Sequence, residues 1–122
     1  MNNKEFGKIL ELRTRNFAVT IIKLSISLPK TEEGRVIKNQ ITKSGTSVGA
    51  NYREANRSRS KADFLNKIKI SESEASETVY WLEVMKDLKW LDKVKVNEVL
   101  SEANELLAIF SSISFKTKKV FR

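Results

Sequence analysis

Arg53 and Arg57 stand one helical turn apart, Lys43 and Ala50 lie near the same line, and Arg59 and Lys61 continue it around a bend. Cations at that spacing do one kind of chemistry well. They hold successive phosphates of a nucleic-acid backbone, driven by counterion release and with little reading of base identity. Lys43, Arg53, Arg57, Arg59 and Lys61 are therefore the candidate phosphate contacts. The stripe has a plainer reading too, as a solvated face or as a strip that meets acidic side chains of another copy of the chain. Tyr52 is the one aromatic near it, and its register on the helix assigns it to core packing rather than base stacking.

Glu72, Glu74 and Glu77 form the opposing cluster. On a helix Glu74 and Glu77 face together while Glu72 points elsewhere. A two-metal site in a bundle draws carboxylates, with histidine, from several facing helices, and the sequence offers no second clear carboxylate pair. Ion pairs with basic residues of the preceding helix, within or between subunits, are the expected role. Trp81, one turn beyond Glu77, marks that flank as one that becomes partly buried on assembly.

The 122 residues include no histidine and no cysteine. That excludes Cys or Ser-His nucleophile systems, zinc sites of Cys/His type, histidine-held haem and disulfides. The segment GTSVG lacks the Gly-Lys-Ser/Thr ending of a phosphate loop and a strand before it. Lys43 and Ser44 are adjacent on a helix and cannot form a facing dyad. The expectation is a non-enzymatic protein with no cofactor, no metal and no catalytic residue.

Lys and Arg number 23 against 15 Asp and Glu, a formal charge of +8, and this charge is segregated. Residues 35–69 carry nine basic and two acidic side chains, and residues 70–114 carry four basic and nine acidic ones. The first 34 residues add +2 and the last eight add +4. A uniformly basic chain points to nucleic acid; a polarised one points equally to self-assembly.

These groups must be positioned by helices. One proline and four glycines are few against usual frequencies of about 5% and 7%, and Lys, Glu, Leu, Ile, Ser and Ala favour helix. Apolar spacing and breakers predict helices over about residues 4–28, 32–56, 61–88 and 93–114. In the first, Phe6, Leu10, Phe17, Ile21, Leu24 and Leu28 recur at three-to-four spacing, with Ile9, Ile22 and Ile26 broadening the stripe, before Pro29 stops it. Thr31, Ser60 and Asp92 are the expected N-caps of the next three. Ile37, Ile41, Ser44, Val48 and Tyr52 or Ala55 make the second stripe; Phe64, Ile68, Ser71, Ala75, Thr78, Leu82 and Met85 make the third. Val96, Val99 or Leu100, Ala103, Leu106 or Leu107, Phe110 and Ile113 make the fourth. Gly45 and Gly49 each cost roughly 1 kcal/mol in an isolated helix, so close packing against another helix must compensate, within the bundle in preference to between subunits. The basic tail FKTKKVFR is expected to fray.

Four helices of this length with short links give an all-α, antiparallel up-down-up-down bundle, one domain spanning 1–122. The charged opening MNNKEFGKILELRTRNF predicts no secretory leader. The most apolar run, FAVTIIKLSISLP, is 13 residues long and carries Lys23, well short of the roughly 18 apolar residues of a membrane span. A cytoplasmic location is expected.

Several stretches taken together resemble a known bacterial family. Lys43 to Ala55 is similar to the helix-two signature R-S-G-T-S-V-G-A-N-I-x-E-A of the 23S rRNA intervening-sequence protein family, with Lys43 where many members have Arg. Ser60 to Phe64 matches the family's Ser-x-x-Asp/Glu-Phe helix start, and Glu74 to Leu82 its E-A-x-E-T-x-Y-W-L pattern. Where one branch reads E-G-x-G-R, this chain has Glu54-Ala55-Asn56-Arg57. The resemblance implies an all-α bundle that assembles as a ring-like homopentamer with a central channel. It also implies a fold similar to the accessory variability determinant proteins of diversity-generating retroelements, basic pentamers that engage nucleic acid and a reverse transcriptase. It supplies no catalytic residues. The function expected from residues and resemblance together is oligomeric, non-enzymatic nucleic-acid binding, RNA or DNA; the alternative is a homo-oligomeric scaffold that does not touch nucleic acid.

Overall fold

Breakers and caps divide the chain as their chemistry requires. The computed structural model describes residues 2–120, folded as α1 (Asn3–Ile26), α2 (Glu32–Asn56), α3 (Lys61–Leu88) and α4 (Lys93–Val120). Each N-terminus is satisfied by a side-chain oxygen that accepts an orphan backbone N–H. Asn2 accepts from Glu5 at 2.8 Å, Thr31 from Gly34 at 3.0 Å, Ser60 from Asp63 at 3.1 Å and Asp92 from Lys95 at 3.2 Å. Helix α1 stops two residues before the expected Leu28, where the Ser27 N–H turns back to Leu24 O at 3.1 Å ahead of Pro29. Helix α3 ends on Lys89 in the left-handed conformation (φ 59°), which lets the Trp90 N–H close onto Met85 O at 3.2 Å.

Residues that meet across helices show the direction of each. Thr14 packs on Gly49 and Ile21 on Gly45, so α1 and α2 are antiparallel. Glu54 pairs with Lys67, Ser71 bonds Val48 O and Thr78 bonds Ser44, so α3 reverses again. Helix α4 returns after a short link, with Ser111 beside Glu72 and Glu102 beside Arg13. This is the up-down-up-down bundle. The core between the helices holds Phe17, Ile21 and Leu24 of α1, Ile41, Val48 and Tyr52 of α2, Ile68, Leu82 and Met85 of α3, and Leu106 and Phe110 of α4. The Tyr52 and Phe110 rings meet edge to face, centroids 5.5 Å apart.

The glycine pair of α2 packs within the bundle, against α1. A Cβ on Gly45 would lie 2.8 Å from two carbons of Ile21, and one on Gly49 would lie 2.9 Å from Thr14 Oγ1 and 3.2 Å from its backbone carbon. The missing side chains set how closely the two helices approach.

Two expectations are corrected. Ile9, Ile22 and Ile26 do not broaden the core stripe of α1. With Leu12 and Val19 they are 43–66% exposed and form a second apolar face turned away from the core, while Phe6, 40% exposed, stays on the core side at the end of the helix. Ile22 and Ile26 lie about 100° and 140° around the helix from Ile21, so their register, and not their apolarity, decides that they face away from the core. The tail does not fray after Ser114 either: α4 continues to Val120. Lys118 and Lys119 lie in its last turn, where positive charge complements the helix dipole, and Thr117 Oγ1 donates to Ile113 O at 2.7 Å. Phe121 and Arg122 lie outside the described residues.

Candidate nucleic-acid interface

The alternation of helix direction brings the start of α1, the end of α2, the start of α3 and the end of α4 to one pole of the bundle. Residues 3–11, 53–67 and 116–120 there carry ten basic and four acidic side chains. The other pole, residues 20–38 and 83–98, carries eight basic and six acidic ones. The positive charge is therefore concentrated at one end, and the lysines of α4 contribute as much to it as the bend between α2 and α3.

The five sequence candidates divide accordingly. Arg57, Arg59 and Lys61 lie at this pole, all exposed, and have no acidic partner within 4.0 Å among the described residues. Arg57 also caps α2, its N–H bonding Glu54 O at 3.0 Å. Arg53 lies beside them but is engaged, its Nε 3.7 Å from Glu11 Oε1. Lys43 does not join the group. It sits at mid-bundle near Glu74, about four turns from the bend. There burial holds the Glu74 carboxyl above the usual carboxylate range, Glu77 pushes it the same way, and Lys43 pulls it back.

Within one chain the acidic trio does not make the expected ion pairs with the second helix. Among the described residues none of the three pairs with a cation of α2 within 4.0 Å. Glu72 accepts from Ser111 at 2.8 Å, and Glu77 from the Trp81 indole N–H at 3.2 Å. On the α1 side of α2, Arg53 pairs with the carboxylate of Glu11, which also accepts from Asn56 at 2.8 Å.

Sequence reasoning missed the remaining parts of the pole. Tyr52 is core, as expected. Burial raises its phenol above the ordinary value, its bond to Asn56 lowers it in part, and Glu11 raises it again. Phe6 and Phe64 instead line an open groove there, together with Tyr52, Asn56, Ile109, Ile113 and Lys116. No local pattern announces that groove, because its walls are more than 100 residues apart in the chain. Phe6 in place of a polar residue at an exposed first turn is the one signal the sequence carries.

The comparisons with known proteins bear on this geometry. The family model described as 23S rRNA-intervening sequence protein matches residues 10–112. The chain belongs to this family. A crystal structure of a protein of unknown function from the S23 ribosomal protein family of Bacteroides thetaiotaomicron is 36% identical, with a TM-score of 0.79 over 85% of this chain and 96% of that one. No curated protein matches the chain. The 23S rRNA-intervening sequence match includes the bend with Arg57, Arg59 and Lys61, whereas Phe6 and the lysines at the end of α4 fall outside it. Among the described residues no helix is long and apolar enough to cross a membrane.

Proposed function

We propose that this member of the 23S rRNA-intervening sequence protein family is a non-enzymatic, cytoplasmic, oligomeric protein that binds the backbone of RNA or DNA through its basic pole. The observation that carries the reading is the convergence of Arg57, Arg59 and Lys61 with Lys116, Lys118 and Lys119 at one end of the bundle, with few carboxylates among them. A polyanion gains from such a field by counterion release, and nothing in it selects a base. Fluorescence anisotropy with a labelled RNA oligonucleotide at low salt tests this. Binding is expected to weaken steeply with salt. Arg57, Arg59 and Lys61 changed together to Ala should lower both affinity and salt slope, the slope by about 0.7–0.9 for each phosphate no longer neutralised. Absence of binding at low salt, or binding indifferent to the triple substitution, rejects it.

Assembly is the second half of the proposal, and the outer face of α1 supports it. Leu12, Val19, Ile22 and Ile26 are large, apolar and exposed along a single helix, and exposed apolar groups gathered on one face mark association sites. The homopentameric ring implied by the family resemblance would cover such a face. Native mass spectrometry is expected to show the oligomer, and Val19→Asp with Ile22→Asp to give a folded monomer. If the variant stays assembled, this face is not the contact. The same face favours the alternative of a scaffold without nucleic acid, which an assembled protein indifferent to RNA and DNA would establish.

A further inference from the structure

The groove at the basic pole lies in the seam between α1 and α4, where it spans about 930 Å³ and is open to solvent along its length. Its floor is apolar and aromatic, with Phe6, Phe64, Ile109 and Ile113. Its polar atoms include the amides of Asn3 and Asn56 and the Tyr52 hydroxyl; Lys116 stands at the rim, and no carboxylate lines it. A shallower depression shares Asn56 and Phe64 with it and continues to Arg59 and Lys61. Further along the same seam the lining changes to Arg13, Lys95, Glu98 and Glu102, where the carboxylates repel a polyanion.

Resting on the nucleic-acid reading above, we infer that this groove takes unpaired nucleotides, so that the protein prefers a single strand to a duplex. Phosphates run from Arg59 and Lys61 across to Lys116, while the bases between them lie against Phe6 and Phe64 and present their edges to Asn56. A cationic track with interleaved aromatic rings is how single strands are held without sequence preference, because every base offers a π face. A duplex keeps its bases stacked inside and meets only the cations. A purely apolar occupant would make no use of the cations at Arg59, Lys61 and Lys116, and an acidic peptide would leave the rings unmatched.

The test compares three labelled probes of equal length by anisotropy: a 12-nucleotide single-stranded RNA, the same sequence annealed to its complement, and an abasic strand with the same number of phosphates. The single strand should bind most tightly, and the abasic strand should bind no better than the duplex. Phe6→Ala should weaken single-strand binding by about 5- to 30-fold and leave duplex binding unchanged. Phe6 is 40% exposed, so this variant keeps its fold, as its thermal melt will show. Phe64→Leu, at a half-buried position, should act the same way, and Phe6→Ala decides alone should that variant fold poorly. Equal binding of all three probes, with Phe6→Ala silent and the Arg57/Arg59/Lys61 triple variant still weakened, overturns the groove and keeps the basic pole. No binding to any probe overturns both.

Discussion

Helix α1 is held on its two sides by opposite means. Against α2 the surface is built from what is missing: Gly45 and Gly49 let Ile21 and Thr14 settle onto the α2 backbone. The next seam in that direction, between α2 and α3, is closed by short buried hydroxyls, Ser71 to Val48 O and Thr78 to Ser44, both at 2.9 Å. Against α4 the helices touch lightly and leave two grooves, separated by a charged clasp. There Arg13 donates to both carboxylate oxygens of Glu102, at 2.7 and 2.6 Å, and approaches Glu105 at 3.3 Å. Those carboxylates hold the Arg13 guanidinium well above its ordinary pKa, against the opposing effect of burial. One side of α1 is a steric fit at Ile21 and Thr14 with a small depression beside it, and the other is an ion pair set in a wider open cleft. The difference teaches where a ligand can enter most easily: the α1–α2 seam leaves a depression of about 350 Å³ beside Thr14 and Gly49, whereas the α1–α4 seam opens to about 930 Å³ at the basic pole.

The largest effect is expected from breaking the tight side. Ala is about 1 kcal/mol better than Gly in a helix interior, so Gly49→Ala would stabilise α2 in isolation. Here the added Cβ meets Thr14 Oγ1 at 2.9 Å and the Thr14 backbone at 3.2 Å, so α1 itself must move. Overpacking of a fitted seam costs about 1–3 kcal/mol, which exceeds the propensity gain. Gly49→Val should show the full cost, and Gly45→Val as much, because Ile21 is fully buried and would lie 2.8 Å from the new Cβ. Urea unfolding should report a lower midpoint for each variant, at an unchanged slope and independent of salt. A Gly49→Ala variant more stable than the parent would mean that the seam is loose and the contrast false.

How much of this is legible in the sequence follows from what each signal encodes. Caps and breakers are local chemistry, and Thr31, Ser60 and Asp92 each take the backbone N–H expected of them, so α2 and α3 begin and end where predicted. Gly45 and Gly49 are legible as a demand for close packing, and the structure meets it within the bundle. The two faces of α1 are separable by register, since Leu12, Val19, Ile22 and Ile26 fall about 100° or more around the helix from Ile21, but apolarity alone does not say which face the bundle buries. The pole is half legible. Arg57, Arg59 and Lys61 are neighbours in the chain, but Phe6 and Lys116 join them only through the alternation of four helices. Lys43 shows the converse: it lies on the right line of α2 yet too far along it to belong.

The open side should respond less, and differently. Arg13→Ala removes a bidentate pair, with side chains 31% and 33% exposed at Arg13 and Glu102. Pairs at that exposure contribute up to about 1 kcal/mol, screened by salt. The variant should therefore unfold slightly more easily at low salt and converge on the parent at high salt, which no glycine variant will do. Amide exchange should quicken at the start of α1 and along α4 and stay slow in α2 and α3. Equal quickening in α2 would mean that the clasp supports the whole bundle rather than one seam.

The smallest effect sharpens the contrast from the closed side, where charge plays a minor part. Glu74 of α3 has its folded pKa raised, by burial first and by Glu77 second, with Lys43 opposing. For an acid whose pKa is higher folded than unfolded, the associated stability is complete below the unfolded pKa and is lost as pH rises through the folded one. At neutral pH the ionised Glu74 is thus a small liability. Glu74→Gln should raise stability modestly at pH 7 and leave it unchanged near pH 3, where both carboxyls are protonated. Lys43→Ala should do the reverse, lowering stability at pH 7 with no change near pH 3, because it removes the charge that relieves Glu74. Paired thermal melts at the two pH values read both signs. In the RNA titration Lys43→Ala should cost far less than any of Arg57→Ala, Arg59→Ala or Lys61→Ala, since Lys43 sits at mid-bundle near Glu74, about four turns from the basic pole. A Lys43→Ala loss equal to theirs would instead extend the nucleic-acid surface along α2, and the open seam would no longer be the preferred route to the bundle.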